Sequence, residues 1–211
     1  MKEKKHFIFD VDGTLFSSLN TIIQSFGEVF EKMNIEMPEK KAIKSKIGCD
    51  LRDIAESFFP TNQVNEAIAL YRDIYIKKQN QGIPLINGTK ETLDFLKNQG
   101  KTITAFTMKR RKFTEPLFQT NGIRDYFEMI VGSEDVEYGK PSPEGIFKIM
   151  EYYPNQKKED FVFIGDSLHD AFSAKNANID FIGVLTGGAT KQEFKKEGFN
   201  YILDSIKNLQ F

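Results

Sequence analysis

Two aspartates one residue apart close a short apolar run in Phe7-Ile8-Phe9-Asp10-Val11-Asp12-Gly13-Thr14-Leu15. Residues two apart in an extended segment share a face, so both carboxylates can aim at one spot. Like charges so placed repel, and a bound cation or a proton held by one of them relieves the repulsion. Three later segments carry polar groups just past apolar runs. They are Phe106-Thr107-Met108-Lys109, then Gly139-Lys140-Pro141-Ser142-Pro143, then Ile164-Gly165-Asp166-Ser167-Leu168-His169-Asp170. Acids that hold an oxygen-seeking divalent cation, joined by hydroxyl and lysine donors, suit a phosphoryl group. Mg²⁺ is typically held by one or two carboxylates together with phosphate and water.

The elements that must position these groups follow from the hydrophobic pattern. Short apolar runs at 6–10, 102–107, 128–131, 161–164 and 181–185 read as buried strands. From residue 85 onward they alternate with helical patterns. Thr89, Leu93 and Leu96 share a helix face within 89–98, and Gly100 stands where a helix ends. This alternation predicts an α/β fold, a parallel Rossmann-like sheet with helices on both faces. Asp10 then falls at the C-terminal end of the first strand, where open parallel sheets bind ligands. The stretch from about Ser17 to Gly82 has helical periods only, interrupted at Pro38, Gly48 and Pro60. It reads as an inserted α-helical domain. Its two connections, near Phe16-Ser17 and Gly82-Ile83-Pro84, lie side by side and form a candidate hinge. A small domain closing there would exclude water from a strand-end site.

Composition narrows the function classes. The chain has 211 residues, 40% of them hydrophobic and 28% charged, an ordinary globular balance for one domain with an insertion. A net charge of -1 gives no basic surplus for nucleic acid. The one cysteine, Cys49, cannot form an internal disulfide, which fits a reducing, cytoplasmic setting; it reads as a small filler beside a helix start. The charged Met1–Lys5 leads into too short an apolar run for a signal peptide, and no stretch approaches a membrane span. No heptad pattern suggests assembly, so a monomer is the default expectation. His169 reads as a helix-face residue.

Taken in order, the four motifs resemble those of the haloacid dehalogenase superfamily, in particular its phosphatases with a helical cap after the first motif. The C-terminal Gly187-Gly188-Ala189-Thr190, a short helix, Tyr201-Ile202-Leu203 and a last helix are similar to the phosphoglycolate-phosphatase-like branch. The resemblance spans the chain. It implies a catalytic core of residues 1–16 and 84–211 and a cap of 17–83. It implies Asp10 as nucleophile, forming an aspartyl-phosphate, and Asp12 as acid and then base. Mg²⁺ would be bound by Asp10, the Asp12 carbonyl and Asp166. Thr107 and Lys140 would hold the phosphoryl oxygens, and Asp170 would orient Lys140 or a metal-bound water. Gly13, Thr14, Met108 and Lys109 would line the substrate. Lys109 is equally readable as the solvated start of a helix in Lys109-Arg110-Arg111-Lys112.

Departures from the pattern bear on the leaving group. Phe16-Ser17-Ser18 stands where relatives often carry an acid, and Met108 stands where many have Asn or Ser. In the cap, Arg52 of Ile47-Gly48-Cys49-Asp50-Leu51-Arg52 either reads a second anionic group of the substrate or pairs along its helix with Asp53 or Glu56. The expected activity is Mg²⁺-dependent hydrolysis of a small phosphate ester or pyrophosphate. The alternatives are a phosphotransferase of the β-phosphoglucomutase kind and, in another class, a non-catalytic phosphate-binding regulator. Asp12 disfavours dehalogenase and phosphonate-hydrolase chemistry, since such relatives lack an acid at that position.

Overall fold

The computed structural model describes residues 3–209. Six strands form one parallel sheet: β1 (His6–Phe9), β2 (Thr102–Phe106), β3 (Met129–Val131), β4 (Phe161–Gly165), β5 (Asp180–Val184) and β6 (Ile202–Leu203). Their order is β3-β2-β1-β4-β5-β6. β1 is central, with His6 level with both Thr102 and Phe161. The chain builds outward from β1 first on one side and then, from β4, on the other. The crevice past the ends of β1 and β4 is therefore the topological switch point, where such sheets bind ligands.

Strand alternation decides which helices cover which face. Phe7 and Phe9 pack on one face with Leu93 and Leu96 of α5 (Thr89–Asn98) and Leu117 and Phe118 of the later helix Arg111–Thr120. Ile8 and Phe163 pack on the other with Ile146 and Ile149 from Glu144–Tyr152 and Ala174 and Ala177 from Leu168–Ala177. These three helices are α6, α7 and α8; α9 spans Lys191–Lys196. Both faces are covered, so the strands read as continuous apolar runs. The expected last helix is a single 3₁₀ turn at Ile206–Asn208, and the expected strand at 128–131 starts one residue later, at Met129.

Between β1 and α5 lie α1 (Leu19–Lys32), α2 (Lys40–Lys44), α3 (Leu51–Phe58) and α4 (Val64–Asn80). Pro38, Gly48 and Pro60 all fall between helices, as breakers should. Aromatic contacts join this group: Phe26 meets Tyr71 at 4.4 Å between ring centroids, and Phe30 stacks on Phe59 at 4.6 Å. Offset aromatic pairs add about 0.5–1.5 kcal/mol beyond burial. The two connecting segments run side by side. Phe16 bridges Leu85, and the Ser17 amide donates to the Pro84 carbonyl at 3.0 Å.

Candidate active site

Each motif places its polar group at the same sheet edge. Past β1 the chain turns at once: the Gly13 amide donates to Phe16 O at 2.8 Å, and Leu15 N donates to Val11 O at 3.0 Å. This turn needs Gly13 at φ +91°, and a Cβ there would lie 2.6 Å from Asp166 Oδ2. Gly187 serves the same purpose from the other side, since a Cβ on it would overlap the Asp166 carboxylate. Asp166 is then gripped by the Gly188 amide at 2.6 Å on Oδ2 and by the Thr14 hydroxyl at 3.2 Å on Oδ1.

Lys140 is the hub. Its side chain is wholly buried, and Nζ lies 2.7 Å from both Asp10 Oδ1 and Asp170 Oδ1. Asp170 is fixed by a capping box at the start of α8. Its Oδ2 accepts from Ser167 N at 3.0 Å and Ser167 Oγ at 2.6 Å, while its amide donates to Ser167 Oγ at 3.2 Å. That leaves Oδ1 turned to Lys140. The loop carrying Lys140 is anchored by Glu144, which accepts from the Glu137 and Tyr138 amides at 3.0 and 2.8 Å.

Asp10, Asp166 and Asp170 each offer a carboxylate oxygen within 4.8 Å of the others, and all three are buried. Fully ionised, the three carboxylates would carry two negative charges beyond the single Lys140 ammonium in a place water barely reaches. Burial drives the Asp10 carboxyl up to about 7, opposed by Lys140 and reinforced by Asp170 and Asp12. Asp166 is pushed well above the usual carboxylate range, first by burial and then by Asp10 and Asp170. Burial disfavours the Lys140 ammonium, but Asp10 and Asp170 outweigh it and raise its pKa. An all-oxygen donor set with this surplus fits a hard divalent cation such as Mg²⁺.

Asp12 stands apart from this cluster. Its Oδ1 accepts from Lys109 Nζ at 2.8 Å, and the same ammonium donates to Tyr75 Oη of α4 at 2.7 Å. Lys109 is only 11% exposed and paired with Asp12, so it is not the solvated helix start that its basic neighbours also allowed. Thr107 is buried at the end of β2, and its Oγ1 accepts from the Lys109 amide at 3.2 Å. Met108 reaches Lys140, whose amide donates to its sulfur at 3.4 Å.

A cavity of about 390 Å³ opens over the cluster, and Asp10, Asp12, Thr107, Met108, Lys109 and Asp166 all line it. Arg52 lines it too, but its guanidinium is engaged by Asn65 at 2.9 Å and Glu56 at 3.5 Å. Gly13 and Thr14, expected at the substrate, are instead turned to Asp166. His169 sits on α8 with Nε2 3.1 Å from Cys49 Sγ, across from the segment before α3. Tyr75, Ser167, Gly187 and Gly188 were not singled out from sequence as site residues. The capping spacing of Ser167 to Asp170 was a usable signal; nothing in the residue type marks Tyr75.

The family model for haloacid dehalogenase-like hydrolases matches residues 7–184. Over 206 residues the chain is 31% identical to pyrophosphatase PpaX of Halalkalibacterium halodurans, covering 96% of this chain and 93% of that protein. Its backbone matches a Bacteroides fragilis protein assigned to the haloacid dehalogenase-like hydrolases with a TM-score of 0.90, at 29% identity over 98% of this chain and 100% of that one. A predicted phosphatase from Clostridium acetobutylicum matches with a TM-score of 0.86, also at 29% identity, over 98% and 96% of the two chains. With four motif segments meeting at one switch point and a family match across most of its length, this chain belongs to the haloacid dehalogenase-like hydrolases.

Proposed function

We propose that the protein is a Mg²⁺-dependent phosphatase acting on a small phosphorylated metabolite, of phosphoglycolate, pyrophosphate or sugar phosphate type. The observation that carries this reading is the pairing of a buried Asp10–Lys140–Asp170 ion network with a second acid, Asp12, held separately on the wall of one cavity. This pairing supports one aspartate as nucleophile and the other as proton carrier. The names of its relatives support the same class.

Asp10 attacks phosphorus in line, its carboxylate oxygen forming a bond to phosphorus as the ester oxygen departs. Asp12 gives its proton to that leaving oxygen. A water then attacks the aspartyl-phosphate; Asp12 takes the water's proton, and Asp10 is released with inorganic phosphate. Lys140 and Thr107 hold the phosphoryl oxygens, and Lys140 also offsets the repulsion between phosphate and Asp10. Mg²⁺ held by Asp10, the Asp12 carbonyl and Asp166, with Asp170 beside them, would supply charge neutralisation and orientation of the phosphoryl group.

Residues 17–83 act in this reading as a cap domain over a core of 1–16 and 84–211. The paired connections at Ser17 and Pro84 and the reach of Tyr75 to Lys109 support that division. No helix among the described residues is long and apolar enough to cross a membrane, and the single cysteine favours a cytoplasmic setting. The test is phosphate release with Mg²⁺ over phosphate esters and pyrophosphate, with Asp10→Asn as control. Release that needs both Asp10 and the metal is expected. Equal silence of wild type and variant across the panel removes the phosphatase reading, and isomer analysis with glucose 1-phosphate then tests transfer.

A further inference from the structure

The cavity is far larger than the phosphoryl group that its floor would hold, and its remaining wall is mixed. Ile54, Ile68 and Phe113 give it apolar surface. The cations around it fall into two sets. Lys140 is satisfied by Asp10 and Asp170, Lys109 by Asp12 and Tyr75, and Arg52 by Asn65 and Glu56. Arg72 of α4 and Arg110, the residue before α6, line the same cavity, and neither guanidinium has an ion pair or side-chain hydrogen bond among the described residues.

Two unpaired guanidinium groups beside one cavity repel each other. Partial burial disfavours the Arg72 charge, Arg110 and Arg52 press on it further, and Asp50 alone opposes them. Asp50 and Glu134 also line the cavity, but neither forms an ion pair with Arg72 or Arg110 among the described residues, and a planar guanidinium matches carboxylate and phosphate oxygens in bidentate fashion. Arg72 comes from the helices inserted after β1, whereas Arg110 comes from the turn after β2. One anion could therefore be held by both parts of the chain.

We propose that Arg72 and Arg110 form a subsite for a second anionic group, so that the preferred substrates carry a carboxylate or a second phosphoryl group beyond the scissile bond. This inference rests on the phosphatase reading for the scissile group and specifies its substrate class. It also moves the reading of that anion from Arg52, which is already engaged, to two residues that are not.

The test is calorimetric binding, with Mg²⁺ present, of methylphosphonate, phosphonoacetate and methylenediphosphonate. Wild type should bind at least one of the two doubly anionic probes about ten-fold or more tightly over methylphosphonate, as expected for added charge-assisted hydrogen bonds. The stronger of the two identifies carboxylate or phosphate as the second group. Arg72→Gln and Arg110→Gln should each cut that preference several-fold, and Arg72→Lys should restore part of it. No preference in wild type, or a preference that survives the double variant, overturns the subsite. Hydrolysis of phosphoglycolate, pyrophosphate and ethyl phosphate is measured separately. Loss of Asp10-dependent turnover on all three would sink the phosphatase reading while leaving the binding result to judge the subsite.

Discussion

The sheet edge and the helical rim of the cavity differ in how their charges are held. At the edge, Lys140 is fully buried and locked between two carboxylates, and Asp166 is clasped by Thr14 and Gly188. At the rim, Arg52 is about half exposed, and Arg72 and Arg110 have no charged partner among the described residues. Low dielectric makes fixed charges strong and costly, so the edge tolerates no slack. A solvated rim tolerates substitution cheaply. On the proposed reading, the edge serves one reaction and the rim chooses what enters it.

If that contrast is sound, changes at the edge should strike turnover and stability, and changes at the rim should strike substrate preference. The largest effect is expected from Asp10→Asn. It removes the proposed nucleophile, and phosphate release should fall by about 10⁴-fold or more, as for other nucleophile deletions. Retained turnover would move the nucleophile elsewhere.

Lys140→Met should come next. It leaves three buried carboxylates without their cation, at a cost of about 3–5 kcal/mol typical of broken buried pairs. The sign with pH follows from Asp10. Its folded pKa, near 7, lies above the unfolded value, so the ionised cluster weighs against folding more heavily as pH rises from 4 to 7. Urea melts at pH 5 and pH 8 should therefore show the larger loss at pH 8. An equal loss at both would mean that packing, and not charge, sets the role of Lys140.

Tyr75→Phe tests the link between rim and edge. It deletes one hydrogen bond to the Lys109 ammonium, of a kind worth about 1.5–3 kcal/mol, and frees the ammonium that holds Asp12. If Tyr75 acts through Lys109, kcat should drop about ten-fold with KM little changed. A change in KM alone would place Tyr75 among the substrate contacts.

The effect most remote from turnover concerns stability at the far end of β1, where burial acts without catalytic chemistry. His6 is buried between Gln156 at 3.1 Å and Thr104 at 2.9 Å, and burial lowers its pKa to about 4. Between pH 6.5 and 4 the unfolded chain binds a proton there that the fold refuses. Stability from this residue is complete above pH 6.5 and falls by about 3 kcal/mol as pH drops to 4. His6→Gln should flatten that part of the pH–stability curve. An unchanged slope would show that another group carries it.

Much of the edge was legible because its residues sit where a periodic pattern breaks. The runs ending at Phe9, Phe106 and Gly165 alternate strand faces, and the polar residue after each is forced to the same edge once the strands are parallel. The spacing Ser167-Leu168-His169-Asp170 also held a capping-box signal that went unread, and in the fold that box decides which Asp170 oxygen is free. The rim was harder to read. Arg52 announced itself by charge, yet Asn65 had taken it, and Tyr75 looked like one more aromatic on a helix face.

Local pattern was enough for the strands, the breakers between helices and the order of the four motifs, because these depend on period and turn chemistry. Tertiary structure alone decided that Gly13 and Gly187 make room for Asp166, that Tyr75 holds Lys109, and that Arg72 and Arg110 line one cavity. Those pairings join residues far apart in the chain. They are fixed by how α4 and the loop after β5 lie over the sheet edge, which no local spacing encodes.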